Sequence, residues 1–503
     1  MDSAFCRRLG VFILVTSLLI IFFAGTFPFD FSFDRNSISS FDWRPLEYDP
    51  GFVDRGQNIL FFMPLGFGLA SIVRRQKFRF LWQLAIGTAL GAAMSVLIEC
   101  AQMFVSYRDP SMMDIWANTL GGFCGAVIYA VAGEIILQIA ARGLMLLRPL
   151  AQPPFLAIAT AAYAAFQLWA PLMVRNPGDL SVWDNTLPLI VGNELTADRG
   201  WSGSVSRILL ADRAISEEQA QQLAGGSSAA QIFGDSLLSD YRIEGAGPYR
   251  DLAGNLPPLE WVSGPGNASA AISPDNWYKT PVAISPAIDR IKKSSEFTFA
   301  VTAITFSLDQ RGPARLASVS GDTTHRNVQL GQEFDDLSIR VRMATRSMPD
   351  LYVKHVFKPH VPRQIVVTAA DAQITIYIDG QNRGQVQITP EAKVIWRLYP
   401  RTGFRIRIER YGFRSYAAIY RLLVFIPFAA LLAATLPLSK IREQTRILLG
   451  SAIVLLFAIA IEVTLGGIGN DGFQARNLLM SLVIGAGTLW LLLDRKKKDQ
   501  RVA

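Results

Sequence analysis

The stretch ECAQMFVSYRDPSMMDIWANTLGG, residues 99–122, sets Glu99, Gln102, Arg108, Asp114 and Asn118 between two long apolar runs. Ionisable groups at the mouth of a membrane helix pair are costly unless they meet one another or a ligand, so such a cluster reads as a site. Positions 99 and 102 are three apart, and 114 and 118 are four apart, so each pair shares one face of its helix. Asp114 lies near a helix start, where the macrodipole favours an anion and Asp or Ser caps free amides; Ser111, three residues earlier, is the alternative cap.

Working outward, the chain of 503 residues is 50% hydrophobic and 18% charged, and the apolar residues come in blocks. Blocks of this length read as bilayer spans. Eight are expected, at about residues 9–28, 58–74, 80–105, 115–141, 154–174, 417–438, 446–465 and 474–493. Basic residues near span ends stay on the cytoplasmic side. Arg7 and Arg8, Arg74 to Arg79, Arg142 and Arg148, Lys440 to Arg446 and Arg495 to Lys498 fall on alternate connections. Both termini are therefore expected in the cytoplasm. A cleaved signal peptide is the second reading of the first span, since Ala24 and Gly25 are small. By this alternation the second span begins at Asn58 on the same leaflet as the rest of the polar cluster. Gly87 with Gly91, and Gly121 with Gly125, have the spacing that lets helices approach closely.

The remaining segment, about 175–415, has a soluble composition, with 27 Lys and Arg against 25 Asp and Glu. That balance gives no support to a nucleic-acid partner. The alternating runs QIVVTAADAQITIYIDGQNRG, with a turn after IYIDG, and LSIRVRM predict antiparallel strands joined by Gly and Asn turns, the pattern of a β-sandwich. The expected domains are 1–150, a four-span membrane unit; 151–174, a fifth span; 175–415, an extracytoplasmic sandwich; and 416–503, three further spans with a basic tail. Cys6, Cys100 and Cys124 lie in or beside spans, so the exported segment has no disulfide framework. Buried free thiols are one reading of Cys100 and Cys124, and a pairing between them is the other.

NILFFMPLGFGLA from Asn58, then ECAQMF, YRDPSMMDIWAN and GGFCG, resembles the VanZ-like family of membrane proteins over about residues 10–150. Asn58, Phe62, Pro64, Gly66, Glu99, Gln102, Phe104, Arg108, Asp114, Asn118 and Gly122 match the family pattern. The resemblance implies a bacterial inner-membrane protein of the cell envelope. The family is named for a component of glycopeptide-antibiotic resistance clusters, and its biochemical activity is poorly defined.

LPLIVGNELTADRGWSGSVSRILLADRAISEEQAQQL resembles the closing strands of a laminin-G or concanavalin A-like jelly roll. Here it precedes SSEFTFAVTAI, RNVQLGQEFDDLSIRVRM and ITIYIDG, which resemble the opening and middle strands, so the resemblance implies a circular permutation. Domains of this type often bind glycans, which makes Trp201, Trp261, Trp277, His325, Arg326, Asn327 and Gln332 candidates beside their ordinary role as core and strand residues. No cofactor is expected. Asp322, Asp335 and Asp336 offer carboxylates for calcium but lack EF-hand spacing. Arg401, Arg405, Arg407, Arg410 and Arg414 precede the sixth span and read either as a belt on anionic headgroups or as a charged edge strand. Glu462, inside the seventh span, needs a partner, and Arg476 is the nearest by topology.

The fold class expected is therefore a multidomain, polytopic helical membrane protein carrying an exported, permuted jelly roll. Its expected function is recognition of a lipid or lipid-linked precursor at the outer leaflet, with a glycan-binding exported domain and a link to glycopeptide resistance. The alternatives are an intramembrane enzyme in which Glu99 or Asp114 is the base and Arg108 stabilises a phosphate, and a scaffold in which the cluster locks helices.

Overall fold

A computed structural model describes residues 3–27, 51–73, 80–105, 111–146, 152–173, 177–263, 271–343, 349–398, 405–408, 414–436, 443–469 and 472–502. The chain divides into two compact units, Met1–Phe155 and Leu156–Ala503.

The first unit is built from four helices, α1 (Ser3–Thr26), α2 (Gly51–Val73), α3 (Phe80–Gln102) and α4 (Met112–Leu146). Glycines let α2 and α4 approach until their backbones touch. A Cβ on Gly66 would stand 1.9 Å from the Gly122 carbonyl oxygen, one on Gly125 1.9 Å from that of Met63, and one on Gly121 2.3 Å from that of Ile59. In an apolar solvent such close packing, rather than the hydrophobic effect, holds helices together. A Cβ on Gly91 would stand 3.4 Å from the Gly122 Cα and one on Gly87 3.0 Å from the Ala126 Cβ, so α3 joins the same seam. Phe62, Leu65, Ile98 and Ile21 close one core patch, and Phe67, Ala70, Ala126 and Tyr129 another.

Seven described helices are long and apolar enough to cross a membrane: α1, α3, α4, α5 (Pro153–Leu172), α10 (Arg414–Thr435), α11 (Glu443–Ile468) and α12 (Ala475–Val502). The other expected span, 58–74, lies in α2, which carries Asp54, Arg55, Gln57 and Asn58 in its first half and is not among the seven. Cys100 and Cys124 are free thiols.

In the second unit the polypeptide between α5 and α10 forms two sheets. One follows the order β15-β11-β10-β9-β8-β1-β6-β4, the other β14-β13-β12-β7-β2-β3 with β5 paired to β2. The strands of the first are β1 (Leu189–Val191), β4 (Glu260–Trp261), β6 (Tyr278–Lys279), β8 (Ala314–Ser320), β9 (Arg326–Glu333), β10 (Asp336–Val341), β11 (Asp350–Val353) and β15 (Arg405–Arg407). Those of the second are β2 (Gly203–Ala211), β3 (Leu237–Arg242), β5 (Ala271–Ile272), β7 (Phe297–Thr305), β12 (Pro362–Ala370), β13 (Gln373–Ile378) and β14 (Gln381–Gln387). The β13–β14 turn puts Asp379 at φ 52° and Gly380 at φ 79°, the doubly left-handed geometry for which Asp-Gly is suited.

Gln332 ties the sheets together. It accepts from Trp201 Nε1 at 2.8 Å and from the Thr305 hydroxyl on β7 at 2.7 Å. Val328 and Leu330 lie on the same side of β9 and fill the layer between the sheets. The far side of the second sheet is covered by α6 (Glu217–Ala224) and α7 (Ala229–Phe233), whose Ala220, Leu223, Ile232 and Phe233 pack on Leu209, Ala300, Val366 and Tyr377. Ser216 and Gln219 close a reciprocal capping box at the start of α6.

A short helix, α9 (Pro390–Leu398), follows β14. Its Lys393 is 1% exposed, and Nζ donates to the Pro177 carbonyl at 3.2 Å. Burial lowers the amine from 10.5 to about 8. Below that value the folded chain holds a desolvated charge that the unfolded chain solvates freely. Between the two values the folded state binds fewer protons than the unfolded state, so stability rises with pH. Lys393→Met should accordingly raise the thermal midpoint at about pH 7, and the gain should shrink toward about pH 10. Melting curves of both proteins at the two pH values check this, and a gain that does not change with pH would dismiss burial of the charge as its cause.

Candidate functional site

In the first unit, five of the six cluster residues are described; Arg108 lies outside the described residues. Asn58 Nδ2 on α2 donates to Asp114 Oδ1 on α4 at 2.6 Å. Asn118, one turn further along α4, donates through Nδ2 to Ser95 Oγ on α3 at 3.0 Å. The Ser111 hydroxyl caps α4 by accepting from the Asp114 amide at 3.1 Å, and the Ser111 amide donates to Glu99 Oε2 at 3.1 Å. Gln102 Nε2 donates to the Gly25 carbonyl at the end of α1 at 2.9 Å. Polar side chains from α2, α3 and α4, with a carbonyl of α1, thus meet at one end of the bundle.

Two carboxylates at the N-terminus of α4 are placed where the helix dipole stabilises negative charge. Glu99 is 2% exposed. Its bond to a backbone amide holds the group as an acceptor. Asn118 is buried, and its Oδ1 has no hydrogen-bond partner among the described residues. Ser95 escaped notice in the sequence. It sits four residues before Glu99 on the same face, a spacing that could have marked it.

The sheet candidates separate. Trp201 is fully buried against Gln332, and Asn327 holds the Asp184 backbone through bonds of 2.7 and 2.8 Å. These three side chains are committed to structure. Trp277 is also buried, while Trp261 is half-buried and edge-on to Tyr278. His325 is exposed on the β8–β9 turn and bonds Asp322, whose carboxyl is held below its ordinary range by Thr324 and by His325.

Arg326 lies on the face of the first sheet turned away from the second. Burial and repulsion from Arg340 lower its guanidinium to about 10. Along that face the register aligns Ser318, Gln329, Arg340 and Asp350. Arg340 bonds Asp350, and Arg315 pairs with Glu194 at 2.8 Å. The Gln329 amide is buried, and neither of its polar atoms has a partner among the described residues. None of Glu194, Arg315, Gln329 and Arg340 was singled out from the sequence, because a bulge in β8 and the pairing of β9 with β8 and β10 assemble them.

Asp335, Asp336 and His355 bring potential metal-ligating atoms within 4.8 Å of one another. His355 Nδ1 lies 2.5 Å from Asp335 Oδ2, and Lys354 Nζ lies 3.0 Å from Asp336 Oδ2. The carboxylates are thereby supplied with donors from the chain itself. Asp322, the other calcium candidate, bonds on the β8–β9 turn instead.

Of the basic residues before α10, Arg401 and Arg410 lie outside the described residues, as does the side chain of Arg414. Arg405 and Arg407 sit on β15, an edge strand parallel to β11. Arg405 is exposed, with its guanidinium 5.2 Å from the Tyr352 ring centroid.

Glu462 does find an ion-pair partner, but it is Arg421 on α10, at 2.7 Å, rather than Arg476. Sequence spacing cannot bring 421 beside 462; the packing of α10, α11 and α12 does. Arg421 inside an apolar run was nonetheless a signal of the same kind as Glu462.

Residues 10–133 match the VanZ/LLP1 family model. No curated protein and no solved structure matches the chain. Spanning-length apolar helices around that match make this a membrane protein, similar over its first helices to the VanZ/LLP1 family, with a separate region of β-sheet.

Proposed function

We infer that the chain is a cell-envelope membrane protein whose VanZ-like helices recognise a lipid or lipid-linked precursor at the outer leaflet, while the two-sheet domain, read as a permuted jelly roll, binds glycan outside the cytoplasm. The observation that carries the first part is the convergence of Asn58, Glu99, Asp114 and Asn118 at one end of the bundle, with the buried Asn118 oxygen left for a donor. Polar groups at membrane depth persist where they serve a ligand or one another.

The second part draws support from the face of the first sheet turned away from the second, where the buried Gln329 amide, without a partner among the described residues, lies in the same row as Arg340, with Arg326 beside them. The permuted reading draws support from β1 and β2, which lie within the sheets between β6 and β8 and between β7 and β3. With both termini in the cytoplasm, the charge bias sets the sheets on the far side of the membrane. The family name gives the link to glycopeptide resistance.

Native mass spectrometry of gently extracted protein tests the lipid reading. A phospholipid or polyprenyl-linked species should copurify with the wild type and fall about tenfold in Glu99→Gln, the loss of one charge-assisted contact. Identical lipid profiles in the two proteins would reduce the cluster to helix glue.

A further inference from the structure

A second polar site lies among the C-terminal helices, independent of the reading above. Arg421 is fully buried in α10. It donates to Glu391 Oε1 on α9 at 3.1 Å, to Glu462 Oε2 on α11 at 2.7 Å, and to the carbonyls of Ala417 and Asn477. Glu462 Oε1 accepts from the Gln474 amide at 3.1 Å. Glu391 is 6% exposed and Glu462 2%. Beside this triad is a cavity of about 300 Å³, lined among others by Glu391, Glu462, Thr389, Gln474, Arg476 and Asn477. Two glycines of its wall approach closely: a Cβ on Gly466 would come within 2.7 Å of the Gly472 carbonyl oxygen.

Two carboxylates share one guanidinium, so the triad carries a surplus negative charge. A buried ion is tolerated only with a counter-charge and full hydrogen bonding. The guanidinium is already committed to two carboxylates and two carbonyls, so the carboxylate atoms that line the cavity are left to face a cationic group there. A second lining residue, Arg476, lies in the first turn of α12, where a helix start adds to its pull on anions. It is exposed, so it can meet a ligand at the mouth.

We propose that this cavity binds a ligand joining a primary ammonium to a phosphate, the ammonium against Glu391 and Glu462 and the phosphate on Arg476. An ethanolamine phospholipid headgroup and soluble phosphoethanolamine share that chemistry. Glu391 and Thr389 come from the segment that leaves β14, whereas Glu462 and Arg476 belong to the helices. The ligand therefore touches both the end of the sheet domain and the helical bundle.

Full-length protein, delipidated in detergent, is titrated by native mass spectrometry with phosphatidylethanolamine, phosphatidylglycerol and phosphatidylcholine of identical acyl chains. The ethanolamine lipid should bind about tenfold more tightly than either of the others, because only it presents ammonium N–H donors. Arg476→Gln, a change at an exposed position, should remove most of that affinity, and Glu391→Gln should erase the preference over phosphatidylglycerol. Glu99→Gln in the first unit should leave it unchanged, which separates this site from the lipid site inferred there. Phosphoethanolamine without acyl chains distinguishes the two sources: affinity equal to the lipid's assigns the soluble compound, and affinity at least about tenfold weaker assigns the headgroup. Equal binding of the three lipids, or ethanolamine binding untouched by Arg476→Gln, would overturn the proposal.

Discussion

Replacing Arg421 with Met should unfold or severely loosen the C-terminal helices, with a loss of about 3–5 kcal/mol. The side chain is wholly buried and meets Glu391 and Glu462 at 3.1 and 2.7 Å. Its removal leaves two desolvated carboxylates without their shared counter-charge, along with the carbonyls of Ala417 and Asn477. The cost of the single change is that of stranded charge, so neutralising the partners should recover most of it. Thermal unfolding of the detergent-purified protein, followed by tryptophan fluorescence, should show a large fall in midpoint for Arg421→Met. The triple variant Arg421→Met, Glu391→Gln, Glu462→Gln should return close to wild type. A single variant that melts at the wild-type temperature would mean that solvent reaches the triad.

Gly66→Ala and Gly125→Ala should each separate α2 from α4. In either case the new methyl carbon would lie 1.9 Å from a carbonyl oxygen of the facing helix, and backbone cannot yield as a side chain can. Overpacking of this kind costs about 1–3 kcal/mol even where neighbours adjust. Both changes should also weaken the Asn58 to Asp114 hydrogen bond, because that bond spans the same two helices. Gly143→Ala is the matched control. A Cβ there meets nothing within 4 Å, and helix propensity favours Ala over Gly by about 0.5–1 kcal/mol. Thermal midpoints and the monodisperse fraction after size-exclusion chromatography compare the three. Destabilisation of the control to the same degree as the other two would refute the seam as the cause.

The helices and strands were legible because their signals are local. An apolar run of spanning length reads as a membrane helix whatever surrounds it, and the alternation in QITIYI with Gly and Asn after it reads as a strand running into a turn. The α2 segment was legible as a span at 58–74, although Asp54 to Asn58 dilute the hydropathy of its first half; of the glycines that fit it to α4, Gly121 and Gly125 showed close-approach spacing, while Gly66 entered only through the family resemblance. Within the polar cluster, spacing grouped Glu99 with Gln102 and Asp114 with Asn118. It could not supply Ser95 as the partner of Asn118, nor choose between Ser111 and Asp114 as the cap; the Ser111 hydroxyl made that choice by accepting the Asp114 amide.

The sequence by itself determined that this chain enters membranes, that its first helices resemble one family, and that a strand-rich segment interrupts its apolar runs. These properties depend on composition and on periods of a few residues. Only the tertiary structure decided that Trp201 and Gln332 serve the interior, that Arg315, Arg326 and Arg340 share one sheet face, and that Arg421 rather than Arg476 neutralises Glu462. Each of those outcomes joins residues on separate parts of the chain, up to more than a hundred positions apart, and their contacts exist only after strands and helices have paired in one register.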